Sequence, residues 1–305
     1  MSKIDLSVNI GSLKLRNPIL LASGTVGYGN EISEFTDLNK LGGIVTKSLS
    51  LKPRKGNPPQ RIVETPAGML NAIGLANVGV EVFLEEKIPF LKKFDVPLIC
   101  NIAASSIEEY VECTRILTEE ETIKAFEINV SCPNVREGGL FFGNDLASVA
   151  KITEKVTSVT SKPVIIKLSP NVSYIAPFAK AAKENGADAV SAINTLVGTA
   201  FNINTRKPKI KNITGGLSGP AIKPVALAKV FEISHQVDIP IIGIGGIMHW
   251  KDVIEFMIAG STAIQIGTLN FIDPSAPGKI LKQLEEYCEK MSIEKISSLT
   301  ASYNL

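Results

Sequence analysis

An excess of charge of either sign is missing from this chain: 32 lysines and arginines stand against 30 aspartates and glutamates, a net of +2. That balance excludes the basic footprint of a nucleic-acid-binding protein. Long apolar runs are missing too. None reaches the roughly 18 residues of a membrane span, and residues 1–9 carry no signal-peptide core. Histidine is scarce, with only His235 and His249, both in or beside helical segments, which argues against a histidine base. Cysteine is sparse and scattered: Cys100, Cys113, Cys132 and Cys288 form no C-x-x-C pair. Their spacing excludes a zinc or iron–sulfur site, and a disulfide framework is out of place in so long a chain. Reduced thiols in a cytoplasmic protein without a metal centre are the simplest reading. A dinucleotide fingerprint is also absent, because the glycines of 241–247 follow a late strand with no accompanying βαβ unit and downstream acidic residue.

What the chain does have is one recurring pattern. After a short hairpin, 6–10 and 13–15 joined around Gly11-Ser12, apolar runs rich in Ile, Val and Ala fall at 18–22, 43–46, 97–102, 125–130, 163–168, 187–193, 240–243 and 262–266. Most are followed by a helical segment. Near-continuous apolar runs of this kind are parallel strands buried on both faces. Pro18, Pro97, Pro163 and Pro240 stand at strand starts, where a missing N–H costs nothing. Ser106 ahead of Glu108 and Glu109 reads as a capped helix start, and Glu119–Glu121 as a solvated face. With 305 residues, 45% hydrophobic, the chain fits a (β/α)8 TIM barrel of roughly 250 residues with insertions. It shows no domain boundary, internal repeat or low-complexity tract, so 1–305 reads as one domain. An open doubly wound sheet is the second choice.

Three connections, 48–77, 132–144 and 195–220, are too long for plain βα turns. All leave the C-terminal ends of strands, the face on which barrel enzymes keep their sites. The same face collects Ser23, Lys47, Asn101, Asn129, Lys167, Asn194, Gly245-Gly246 and Gly267-Thr268. Lysines and asparagines gathered at one mouth point to a shared polar ligand, because unsatisfied buried polar groups are costly. The glycines after the last two strands stand where barrels bind phosphate, and Gly215–Pro220 adds a further glycine turn before a helix. A phosphate-bearing cofactor follows, with Lys167 near its ring system. Asn71, in an unusually apolar loop, joins Asn129, Asn194 and Thr195 as donors and acceptors for a planar, amide-rich substrate.

The stretch 126–143, Phe-Glu-Ile-Asn-Val-Ser-Cys-Pro-Asn-Val-Arg-Glu-Gly-Gly-Leu-Phe-Phe-Gly, carries the chemistry. A buried strand ends near Asn129, and Pro133 biases Cys132 toward an extended conformation that aims its thiol. Gly138, Gly139 and Gly143 give the next loop the freedom of a lid. A free cysteine is most often one more small buried hydrophobe; here its place at a strand end makes it a candidate base. A non-redox barrel, such as a Schiff-base aldolase using Lys167 or Lys47 or a phosphosugar isomerase, is an alternative, as is a pure binding protein.

Ser23-Gly24-Thr25, Thr46-Lys47-Ser48, Asn71 to Leu75, Asn129-Val-Ser-Cys-Pro-Asn134, Lys167 to Pro170, Asn194-Thr195, Thr214 to Gly219 and Gly245-Gly246 together resemble the dihydroorotate dehydrogenases, from about the first strand to the last. The cysteine resembles family 1; the membrane-bound family 2 uses serine and carries an N-terminal extension not seen here. The run 52–61 and the loop 135–143 look like subgroup 1B. The resemblance implies oxidation of (S)-dihydroorotate to orotate in pyrimidine biosynthesis, with Cys132 as base. It implies FMN held by Ser23, Lys47, Ser48, Asn101, Asn129, Lys167, Ile193, Gly219, Gly245, Gly246, Gly267 and Thr268. The substrate would meet Lys47, Asn71, Ala72, Ile73, Gly74, Leu75, Asn129, Asn194 and Thr195. It also implies an electron-transfer subunit carrying FAD and a [2Fe–2S] cluster, a heterotetramer of two chains of each kind, and NAD as final acceptor. The 1A homodimers, which reduce fumarate without a partner, are the near alternative. Ala104 stands where the family commonly has glycine, Val26 where it has phenylalanine, and Phe141 at a lid position that is often small.

Overall fold

The apolar runs close on themselves. In the computed structural model, which describes residues 4–130, 136–137 and 140–304, with side chains for 4–130 and 143–304, each run forms one stave of a barrel. A hairpin of β1 (Val8–Ile10) and β2 (Leu13–Leu15) comes first. Its turn residue Gly11 has φ of +56°, and a Cβ there would lie 2.8 Å from Asp188, so the hairpin packs against the chain just before a barrel strand. The staves are β3 (Ile19–Leu21), β4 (Gly43–Val45), β7 (Leu98–Ile102), β8 (Ile123–Asn129), β11 (Val164–Lys167), β12 (Ala189–Ala192), β15 (Ile241–Ile244) and β16 (Ala263–Ile266). They pair in parallel in chain order, and β16 returns to β3 through Ile264↔Ile19. Closure rules out the open doubly wound sheet. Apart from Lys124 and Asn129 in β8, every stave residue is buried. Burial on both faces is why these strands read as unbroken apolar runs.

Four staves begin one residue after a proline, at Ile19, Leu98, Val164 and Ile241. β8 starts at Ile123, two residues before the expected 125, and the preceding helix, Ile107–Thr118, ends ahead of the acidic run. That helix is capped as expected: Ser106 accepts from the Glu109 N–H at 3.2 Å, a contact of about 1 kcal/mol. Its buried Ile107, Tyr110, Cys113, Thr114 and Leu117 recur at helical spacing and face the barrel. The connection after β3 is a set of turns with one short 3-10 segment, Leu38–Lys40. Among the described residues no helix is long and apolar enough to cross a membrane.

The long connections carry strands of their own. The first forms β5 (Ile62–Thr65) and β6 (Gly68–Asn71); the last forms β13 (Leu196–Thr199) and β14 (Thr214–Ser218). These four join as an antiparallel sheet in the order β13-β14-β6-β5, with Asn71 opposite Gly216. In the middle connection β9 (Arg136–Glu137) pairs with β10 (Leu140–Phe141). Of the expected lid, residues 132–135 and 138–139, among them Cys132, Pro133, Gly138 and Gly139, lie outside the described residues, as does the Phe141 side chain.

Candidate active site

The carboxyl ends of the staves and the antiparallel sheet enclose one cavity of about 700 Å³. Parallel strands end on one level, so residues at or just past the end of each stave share a rim. Lys47, Asn129, Lys167, Ile193 and Asn194, Gly245 and Gly246, and Gly267 and Thr268 all line the cavity, as do Ser23 and Ser48. The sheet above contributes Met69, Asn71, Val197, Thr214 and Ser218, and the chain after β6 contributes Ala72 to Leu75. Thr195 and Gly219 complete the expected set. Two expected residues are not in the wall. Cys132 is outside the described residues, and Asn101 is fully buried beneath the cavity.

Asn101 sits low because β7 runs on. The strand continues to Ile102, and the Leu49 N–H donates to the Asn101 carbonyl at 2.8 Å. Its side chain turns inward, opposite Glu127 of β8. Glu127 is the residue that reading the sequence missed. Its carboxylate, 0% exposed, accepts from Asn101 Nδ2 at 2.6 Å, Lys167 Nζ at 3.3 Å, Ser191 Oγ at 2.8 Å and Gln265 Nε2 at 2.6 Å. The signal was present: a charged residue inside Ala125-Phe126-Glu127-Ile128, a run buried throughout. A buried carboxylate demands partners, and these come from four other staves.

Higher up, the asparagines form a pair. Asn194 Nδ2 donates to Asn129 Oδ1 at 3.1 Å, while Asn194 Oδ1 accepts from the Thr195 N–H at 2.8 Å. The Tyr110 hydroxyl donates to the Asn129 carbonyl at 2.8 Å. On the sheet side, Asn71 Nδ2 reaches the Gly216 carbonyl at only 3.4 Å, a weak bond that a ligand could displace. Asn171, a further residue the sequence did not flag, donates to the Thr195 carbonyl at 3.1 Å and accepts from the Val197 N–H at 3.0 Å. It fixes the start of β13.

At the opposite end, glycines let three loops meet backbone to backbone. Gly219, Gly245 and Gly246 have φ of +100°, +135° and +70°. A Cβ on Gly246 would stand 2.9 Å from the Gly219 carbonyl and the Lys223 nitrogen, and one on Gly219 would stand 2.6 Å from Gly68 Cα. Only glycine fits both the conformation and the space. The hydroxyls of Thr268 and Ser218 are hydrogen-bonded at 2.8 Å beside them. Asp252 holds the loop from behind, accepting from the N–H groups of Met248 and His249 and from Lys223 Nζ, each at 2.8 Å. Burial would raise the Asp252 carboxyl, but the Lys223 ammonium and the two amides outweigh it and hold it below its ordinary value. Hydrogen bonds to Asp252 and Glu255 push Lys223 up.

The other cysteines are ordinary core residues. Cys100, Cys113 and Cys288 are buried, and burial pushes the Cys100 and Cys113 thiols up to about 12. His235 lies within the helix Lys223–Gln236, stacked on Phe231 at 5.8 Å, and His249 precedes the helix Trp250–Ile258. Neither histidine lines the cavity.

A closed parallel barrel with lysine, asparagine and glycine groups lining a cavity at its carboxyl face is a TIM barrel with its cavity where barrel enzymes keep their sites. Residues 5–288 match the sequence model of the family described as dihydroorotate dehydrogenase, and the chain belongs to that family. Its similarity to curated members spans whole chains. It is 52% identical to the "Dihydroorotate dehydrogenase B (NAD(+)), catalytic subunit" of Geotalea daltonii over 305 residues, all of both chains. It is 50% identical over 299 residues to the proteins of the same name in Geobacter sulfurreducens, covering 98% of each chain, and in Thermoanaerobacter sp., covering 98% of this chain and 99% of that protein.

Proposed function

We propose that this chain oxidises (S)-dihydroorotate to orotate in pyrimidine biosynthesis, as the FMN-bearing catalytic subunit of an enzyme that passes electrons to NAD. The observation that supports it best is the two-ended cavity, with a glycine cradle at one end and the Asn129–Asn194 pair at the other. The cradle suits a phosphate because glycine at 219 and 246 lets three loops pack backbone to backbone at the cavity wall, where backbone N–H groups can meet an anion closely. Gly219, Gly245, Gly246, Gly267 and Thr268 would hold the FMN phosphate, with Ser23, Lys47, Ser48, Asn129, Lys167 and Ile193 along the rest of the cofactor. Asn101 acts from below, through its hydrogen bond to Glu127. When bound, FMN supplies the hydride acceptor for oxidation of the saturated C–C bond beside the substrate carbonyl.

The chain's own residues do the rest. Lys47 meets the substrate carboxylate, and Asn71 to Leu75, Asn129, Asn194 and Thr195 match its amide edge. Cys132 takes the proton acidified by the neighbouring carbonyl. Cys132→Ala should keep flavin and orotate binding while losing about 10²–10⁴ in turnover; flavin reduction by dihydroorotate at the native rate in that variant refutes the role.

The chain lacks the sequence features of a second redox station, so electrons leave for a partner subunit carrying FAD and a [2Fe–2S] cluster, in a heterotetramer of two chains of each kind. The test offers dihydroorotate with NAD or fumarate to the purified chain, alone and with its co-expressed partner. A yellow protein that forms NADH only with the partner is expected. Rapid fumarate reduction by the lone chain would assign it to the 1A type, and a colourless protein inert in every arm would overturn the redox reading.

A further inference from the structure

Glu127 is a fully buried charged residue two positions before the carboxyl end of β8, below the cavity wall. Its two oxygens serve four donors from four other staves: Oε1 takes Asn101 and Lys167, and Oε2 takes Ser191 and Gln265. Four acceptances fill the capacity of an ionised carboxylate. Of those four donors only Lys167 also lines the cavity. Whatever Glu127 does to the site passes through the ammonium that it holds at 3.3 Å.

The network is also kept at a structural cost. Asn101 Oδ1 and Gln265 Oε1 are buried with no hydrogen-bond partner among the described residues, because both amides turn their N–H groups to Glu127. Buried acceptors are rarely left unpaired, and buried ion pairs can often be replaced by apolar groups of equal volume without loss of stability. An arrangement that breaks these packing rules at the floor of a cavity is expected to serve the ligand above it.

We propose that Glu127 is a positioning residue that fixes the Lys167 ammonium at the cavity floor and balances the charge that this ammonium would present to a bound flavin. Asn101, Ser191 and Gln265 hold the carboxylate from three sides, so the ammonium is aimed by a fixed anion. The charge balance keeps the floor near neutral and limits how strongly Lys167 favours the reduced, anionic flavin. This inference rests on the flavin site proposed above.

The experiment compares wild type, Glu127→Gln and Glu127→Asp as purified flavoproteins, by anaerobic redox titration against a reference dye and by flavin dissociation. Glu127→Gln keeps the volume and removes the charge. The floor becomes cationic, and reduced flavin is favoured over oxidised by about tenfold more than in wild type, a positive shift of about 30 mV for a two-electron couple. Glu127→Asp keeps the charge but withdraws it by one methylene; its potential stays at the wild-type value while flavin is released about tenfold more readily. If Glu127→Gln does not fold, Glu127→Asp decides the matter by its dissociation constant. Wild-type potential and wild-type flavin retention in whichever variants fold would overturn the proposal, as would an equal potential shift in both. A wild-type protein that binds no flavin would instead refute the site assignment on which the proposal rests.

Discussion

The floor of the cavity and the sheet across its mouth are both built of β-strands, but different interactions hold them. Each stave of the floor is buried on both faces and pairs in parallel with its chain-order neighbours. In the upper sheet the strands are antiparallel, and Leu70 is the one strand residue that is buried. The floor is therefore a hydrophobic construction, whereas the upper sheet depends on backbone pairing between segments far apart in sequence, such as Asn71 and Gly216. A scaffold of the first kind would hold the proposed cofactor groups rigidly; one of the second kind tolerates change with little loss of stability, as the proposed substrate side requires.

The sharpest test of this contrast is a pair of truncations. Phe126→Ala in β8 removes a side chain that is fully buried and should cost about 3–5 kcal/mol. Val197→Ala in β13, 67% exposed, should cost about 0.5 kcal/mol or less. Urea denaturation followed by far-UV circular dichroism measures both. Comparable losses would mean that the upper sheet is as much a part of the core as the barrel.

The same contrast governs what could be read in advance. Barrel strands announce themselves because burial on two faces demands uninterrupted Ile, Val and Ala, and the prolines at 18, 97, 163 and 240 mark where four of them begin. The upper strands could not be read that way. Thr214-Gly-Gly-Leu-Ser218 and Gly68-Met-Leu-Asn71 carry no alternation, and their pairing is settled by partners in a distant connection. Rim residues such as Lys47 and Asn194 were legible because a polar group that closes an apolar run has no place in the core and must face the mouth. Asn101 is not a rim residue because it is the penultimate residue of β7, whose end at Ile102 falls where the apolar run 97–102 put it, and its side chain turns inward to Glu127. Glu127 was hidden for the opposite reason: one charge inside an apolar run does not break the strand, and its partners come from staves as distant in sequence as Gln265.

A second test separates binding from folding within the upper sheet. Asn71 lines the cavity and its one weak bond spans 3.4 Å to Gly216. Asn71→Ala should leave stability and flavin content unchanged while raising KM for dihydroorotate about tenfold, the loss of about one hydrogen bond to substrate. A change in flavin content instead would place Asn71 on the cofactor, and an unchanged KM would remove it from the substrate site.

The last test belongs to the barrel side, at the clamp behind the glycine cradle, where the expected change is a small one with pH. Asp252 is held below its ordinary value by Lys223 and the amides of Met248 and His249, against the opposing effect of burial. A carboxyl depressed on folding contributes stability that is fully present above its unfolded value of about 3.9 and is lost as pH falls through the lower folded value. Lys223 is raised on folding, so its share is present below about 10.4 and lost as pH rises through the higher folded value. Between these limits the clamp is intact, and Asp252→Asn should cost about 1 kcal/mol near neutrality. The gap from wild type should narrow in acid, where the native carboxylate takes up its proton. Thermal melts of both proteins across that range measure it. If the gap does not change with pH, the charge of Asp252 is not what holds the loop, and the contrast between a fixed floor and a displaceable upper sheet would rest on packing alone.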